Sequence, residues 1–233
     1  VVHRRRRQRH GKGGTMHVGR LHFRLAARSR AAALARFDPA ACYAGLRKLA
    51  RSLDGHAWMV VSGLVEPLFS GRFARAHSDI DIAVPVDALR ALADAVHRHG
   101  YVLTMRVLRT HLSTRADVEA HLVVAPWMLD HRCRHLRLWR LTPRGDLDET
   151  TFPAYVDVFP YALVGQEMHI LDSGQRLPLR APLWHDVPLP DGARIPVEDP
   201  SYLDALKAAR RRARMRAAER DAAGSAAASP LEP

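Results

Sequence analysis

Cysteine is nearly missing from this 233-residue chain: only Cys42 and Cys133 occur, far apart in sequence. That excludes a disulfide framework and fits a reducing, cytoplasmic setting. No apolar run is long enough to cross a membrane as a helix. The opening Val1-Val2-His3-Arg4 has charge but no apolar stretch behind it, unlike a secretory signal. Lysine is scarce too, limited to Lys12, Lys48 and Lys207, while arginine and alanine abound. Codon bias explains most of those arginines more simply than arginine-specific chemistry.

Acid is absent from residues 1–36, which carry eleven Lys and Arg. Residues 37–200 hold eighteen basic and twenty acidic residues, and residues 201–233 hold seven and four. The formal charge of +12 therefore sits at the ends, around a nearly neutral body. A nucleic-acid groove neutralises many phosphates with Lys and Arg, so no nucleic-acid partner is expected. The basic ends suit an anionic membrane surface, which would place the protein peripherally on the inner membrane face. Unselected codon-biased tails are the plainer explanation.

The organisation expected is a basic, disordered tail over 1–36, a catalytic domain over 37–205, and a basic helix end with a disordered tail over 206–233. Within the first tail a frayed helix is the alternative over Leu21–Arg36. Asp38-Pro39 predicts a helix start, with Tyr43, Leu46, Leu49 and Leu53 on its buried face and an end near Asp54-Gly55. A strand over 57–62, a short helix over 64–70 and a strand over 79–84 follow. Pro85-Val86-Asp87 is expected to cap a helix ending at His99-Gly100. Strands are expected at 101–108, 121–125, 136–141 and 155–159, with a turn at Pro143–Asp146. Asp172-Ser173-Gly174 predicts a hairpin turn. The prolines of 178–200 predict an extended wrapping segment, and a last helix should start at Ser201 with Asp204 in a capping box. Strands and helices so mixed give an α+β class with a central mixed sheet flanked by helices.

Ser78-Asp79-Ile80-Asp81-Ile82 carries the chemistry. Side chains alternate along a strand, so Asp79 and Asp81 share one face. Two like charges side by side call for a cation between them. Oxygen ligands this close suit Mg²⁺, with Mn²⁺ as the alternative, leaving positions for water and phosphate. Upstream, Met59–Val65 reads as a strand entering a turn at Ser62-Gly63, where small residues let backbone N–H groups approach phosphate. Tyr155–Pro160 is a second alternating strand whose lone acid, Asp157, is the candidate third ligand and proton acceptor. Arg72, Arg75 and His77 lie just before the aspartates, where they could reach donor phosphate. His131-Arg132-Cys133-Arg134-His135 has the wrong spacing for zinc and reads as an exposed basic segment.

These residues resemble the nucleotidyltransferase superfamily, whose signature is Gly-Ser followed by Asp-x-Asp. Ser70–Asp81 looks like the aminoglycoside and lincosamide nucleotidyltransferases. Val156–Pro160, with Ile195-Pro196-Val197 and Pro200–Leu203, looks more like the LicD/fukutin family. The interval of 76 residues from Asp81 to Asp157 also favours the second likeness. That likeness implies transfer of a phospho-group, of phosphocholine or polyol-phosphate type, from a CDP-linked donor to a sugar or glycan hydroxyl. The first implies transfer of a nucleotidyl group to a small hydroxyl compound with release of pyrophosphate. A degenerate member that only binds is a third alternative. The chain departs from the LicD pattern at Ser62–Pro67, which replaces a glycine-rich segment, and at Lys207-Ala208, where Tyr-Gly is expected.

Overall fold

A computed structural model describes residues 20–24, 34–35, 37–112, 116–123, 129, 136–142, 152–153, 155–179, 182–208 and 215. Helix α1 (Pro39–Ser52) starts as expected: Asp38 is its N-cap and accepts from the Ala40 and Ala41 N–H groups. Leu46, Leu49 and Leu53 are buried along its inner side, together with Cys42. Burial raises the Cys42 thiol to about 12, so it behaves as a small apolar core residue. Strand β2 (Met59–Val60) is shorter than the expected 57–62 and leads through a 3₁₀ turn (Ser62–Leu64) into α2 (Val65–Ser70). Helix α3 spans Leu89–Arg98, and its N-cap is Ala88 with no side-chain bond, so Asp87 does not cap it.

The described strands form one mixed sheet. Besides β2 they are β1 (Arg20–Arg24), β3 (Ile80–Pro85), β4 (Tyr101–Leu112), β5 (Ala116–Val123), β6 (Leu136–Arg140), β7 (Tyr155–Val164), β8 (Glu167–Ile170), β9 (Gln175–Pro178), β10 (Trp184–Pro188) and β11 (Arg194–Glu198). Their order is β1-β5-β4-β6-β7-β3-β2-β11-β10, with β8 and β9 attached beside β7. Parallel pairing occurs between β3 and β7 and between β2 and β11; the other pairs are antiparallel. The α+β architecture with a central mixed sheet is therefore the one expected.

Three further expectations are corrected. Residues 20–24, assigned to a disordered tail or frayed helix, form β1 and pair with β5 in register from Arg20–Leu122 to Arg24–Val118. Their alternation of basic and apolar residues suits an outer strand, and the sheet thus reaches beyond the 37–205 boundary. The proline-rich 178–200 segment is not merely extended: it supplies β10 and β11. Pro188 ends β10 at the sheet's outer edge, where a missing N–H leaves no inner ladder bond unmade. Helix α4, described over 200–208, is capped by Asp199, whose carboxylate accepts from the Ser201 N–H. Ser201 is therefore inside the helix rather than its cap. The 143–146 turn, the His131–His135 segment and most of the basic ends lie outside the described residues.

Alternation divides the sheet's two faces. Ile80, Ile82, Val84, Val156 and Val158 pack with α1, α3 and Leu64 in the larger core. Met59, Val61, Ala83 and Tyr161 face the other way and pack with Met168 and Leu177 of the β8–β9 hairpin and Tyr202 and Leu206 of α4. Asp79, Asp81 and Asp157 belong to this second face, because they alternate with the first set.

Candidate active site

Cross-strand register assembles the site. Asp81 on β3 lies directly opposite Asp157 on β7, and Asp157 lies opposite Arg137 on β6. Asp79 sits just before β3 and continues the same face. One oxygen of each of Asp79, Asp81 and Asp157 comes within 4.8 Å of the others. Sequence separation does not matter here: the intervening α3, β4, β5 and β6 widen the sheet, and β7 returns beside β3.

Two residues missed by the motif reading hold these acids. Arg137 Nε donates to Asp157 Oδ1 at 2.6 Å, and both groups are buried. The guanidinium also stacks over the Tyr155 ring, with Cζ 4.4 Å from its centroid. Tyr155 Oη donates to Asp79 Oδ2 at 3.2 Å, and Ser78 Oγ donates to Asp79 Oδ1 at the same distance. Burial, then the charges of Asp79 and Asp157, push the Tyr155 phenol well above its usual range, keeping it a proton donor. The available signal was spacing: Tyr155 is two positions before Asp157 and so shares its strand face. Arg137 had no such signal, because only the β6–β7 register brings it to Asp157.

Three carboxylates and one guanidinium leave a formal charge of −2 on these four groups, the amount a divalent cation balances. The donors are all oxygen, which fits Mg²⁺ or Mn²⁺ rather than a thiophilic metal. Asp79, Asp81 and Asp157 are thus a chemically suitable cation site.

The Ser62-Gly63 turn lies at the end of β2 next to these acids, since Val61 N–H donates to Asp81 O at 3.0 Å. Ser62 has φ +66°, a left-handed conformation that a non-glycine residue adopts at a cost of about 1 kcal/mol or more. A methyl group added to Gly63 would fall 2.7 Å from Arg75 Nη2 and 3.3 Å from His77 Cε1. The absent side chain lets the Arg75 guanidinium and the His77 ring close over the turn. His77 is buried against Phe37 and Phe73, and its Nε2 has no hydrogen-bond partner among the described residues. Burial and then the Arg75 charge lower its basicity, with Asp79 opposing them. Arg75 and His77 therefore join Ser62 and Gly63 at the turn. Arg72, exposed like Arg75, lies at the end of α2, where its backbone N–H donates to Ser70 Oγ.

No protein-family profile matches the sequence. No curated protein matches it either. Among solved structures, the chain is similar to a lincomycin-bound lincosamide antibiotic adenylyltransferase, at 12% identity and TM-score 0.41, covering 72% of this chain and 84% of that one. It is also similar to a candidate nucleotidyltransferase of Thermotoga maritima, at 12% identity and TM-score 0.47, covering 82% and 98%. At that level of likeness, function has to be argued from the carboxylates.

Proposed function

We infer that the chain is a metal-dependent nucleotidyltransferase, moving a nucleotidyl group from a nucleoside triphosphate to a hydroxyl of a small acceptor and releasing pyrophosphate. The observation that carries this reading is the meeting of Asp79, Asp81 and Asp157, from two adjacent strands, beside the Ser62-Gly63 turn. Mg²⁺ or Mn²⁺ held by the three aspartates would neutralise phosphate charge and polarise the attacking hydroxyl.

The remaining roles belong to the protein. Backbone N–H groups at Ser62-Gly63, with Arg75, would bind donor phosphate, and His77 Nδ1, the ring nitrogen beside Gly63, offers a further polar contact there. Tyr155 and Ser78 fix both oxygens of Asp79, so that carboxylate enters the reaction already oriented. Arg137 stabilises Asp157 as an anion, which suits cation binding better than accepting the acceptor's proton.

Phospho-group transfer from a CDP-linked donor to a glycan hydroxyl is the second reading, favoured by the Val156–Pro160 strand. The long interval between Asp81 and Asp157 does not favour it, because that interval is filled by sheet extension. Incubation with Mg²⁺, each nucleoside triphosphate or CDP-linked donor, and a set of hydroxyl acceptors separates the two. Pyrophosphate release is the expected result. CMP release supports the second reading, and neither product with any donor sinks both. No helix is long and apolar enough to cross a membrane among the described residues. Contact of the basic ends with an anionic membrane surface remains a proposal, tested by vesicle co-sedimentation.

A further inference from the structure

A recess of about 330 Å³ lies away from the three aspartates. Its walls include Trp184 and Asp186 of β10, Arg194 of β11, the 54–58 loop with Asp54 and His56, and Tyr161 of β7. Pairing of Asp186 with Pro196, and of Val197 with Val60 next to Met59, puts Trp184, Asp186 and Arg194 on the aspartate-bearing face of the sheet. Tyr161 is four residues beyond Asp157 on β7, about 13 Å along the strand. Ala50 and Leu53, at the end of α1 on the opposite face, line it too, so the recess sits at the end of the sheet and includes none of the candidate site's acids.

Its chemistry narrows the occupant. Trp184 is 48% exposed on the outermost strand, so the fold leaves its indole uncovered. One exposed apolar side chain means little by itself. Here it walls a cavity within the size range of small-molecule sites, next to acceptors on Asp54 and Asp186 and donors on Arg194 and His56. Arg194 Nη2 already donates to Asp186 O at 2.6 Å, which holds the guanidinium beside the recess while its other N–H groups stay available. A cationic ligand would meet Arg194, and an anionic one would meet two aspartates. A purely apolar ligand would strip water from all of these polar groups without replacing its hydrogen bonds. A neutral polyol satisfies them, because each hydroxyl both donates and accepts. Its C–H face, if the polyol is a ring, is apolar and matches the flat indole.

We propose that this recess binds a saccharide ring, stacked on Trp184 and hydrogen-bonded by Asp54, Asp186 and Arg194. The assignment does not depend on the transferase reading, since it uses different residues. The test is titration of the full chain with maltotetraose, chitotetraose and cellotetraose, followed by saturation-transfer NMR and tryptophan fluorescence. Binding of at least one of them at about millimolar Kd is expected. Trp184→Ala should weaken it by about tenfold or more, and Trp184→Phe by only about threefold, because Phe keeps an aromatic face. Arg194→Ala, which leaves the indole in place, should also weaken binding by about tenfold. Asp81→Asn should bind the saccharide like the unmodified chain. Absence of binding by all three oligosaccharides overturns the proposal. So does binding that Trp184→Ala and Arg194→Ala leave unchanged, or a nucleoside that displaces the saccharide from the recess.

Discussion

Strand β3 uses alternate residues for opposite ends. On one face Ile80, Ile82 and Val84 are completely buried against α1 and α3. On the other, Asp79 and Asp81 meet Asp157, and only Ala83 separates them from the apolar contacts of the hairpin and α4. The first face is held by loss of apolar surface from water, which is tolerant of small shifts. The second depends on charge and on cross-strand register, where one slipped residue would turn Asp81 into the core. Stability and chemistry should therefore respond to different substitutions only a few ångströms apart.

Arg137→Ala should give the largest stability effect on the charged face. It breaks a buried ion pair and leaves the Asp157 charge beside Asp81 without its guanidinium, at a cost of about 3–5 kcal/mol in urea unfolding without divalent ions. The same substitution removes the Arg137 positive charge, so Mn²⁺ should raise its melting temperature more than it raises that of the unmodified chain. An equal or smaller rise would mean that Arg137 does not balance the site's charge.

Ile82→Ala tests the other face. Removing a fully buried side chain should cost about 2–4 kcal/mol, while turnover per folded molecule stays the same at a temperature where both are folded. A fall in turnover matching the loss of stability would break the separation of the two faces.

Much of this contrast is visible in the sequence, for physical reasons. The period-two alternation of Asp79-Ile80-Asp81-Ile82 is local, and so are the Asp38 cap of α1 and the Asp172-Ser173-Gly174 turn between β8 and β9. What was not legible depends on which strands become neighbours. Arg137 is one arginine among many until β6 lies against β7. Pro188 and Pro196 argue against strands in isolation, but β10 lies on an edge and β11 holds Pro196 in register with Asp186 despite its missing N–H. Likewise β1 exists through its pairing with β5, and a basic composition concealed it.

A smaller effect is expected at Asp199, the cap of α4. Its hydrogen bond with Ser201, then that with His185 at 2.7 Å, holds its carboxyl below the usual carboxylate range. A carboxyl depressed in the folded state stabilises it above the unfolded value, and that contribution is lost as pH falls through the folded value. Stability should thus decline below about pH 4, with a shallower decline in Asp199→Ala. Loss of the cap should also cost about 1 kcal/mol at neutral pH. Acid unfolding curves that superimpose would remove Asp199 from the account.

The most direct measurement is Mn²⁺ binding by electron paramagnetic resonance, on the unmodified chain and on Asp81→Asn, with turnover recorded on the same samples. Asn keeps the shape of Asp81 but removes one of the clustered negative charges, so the metal-free fold should stand or gain slightly in stability. The unmodified chain should bind Mn²⁺ and be stabilised by it. Asp81→Asn should bind at least about tenfold more weakly and lose about a thousandfold or more in turnover. Equal Mn²⁺ affinity and near-normal turnover in Asp81→Asn would contradict the assignment of these three aspartates as the metal-binding catalytic centre.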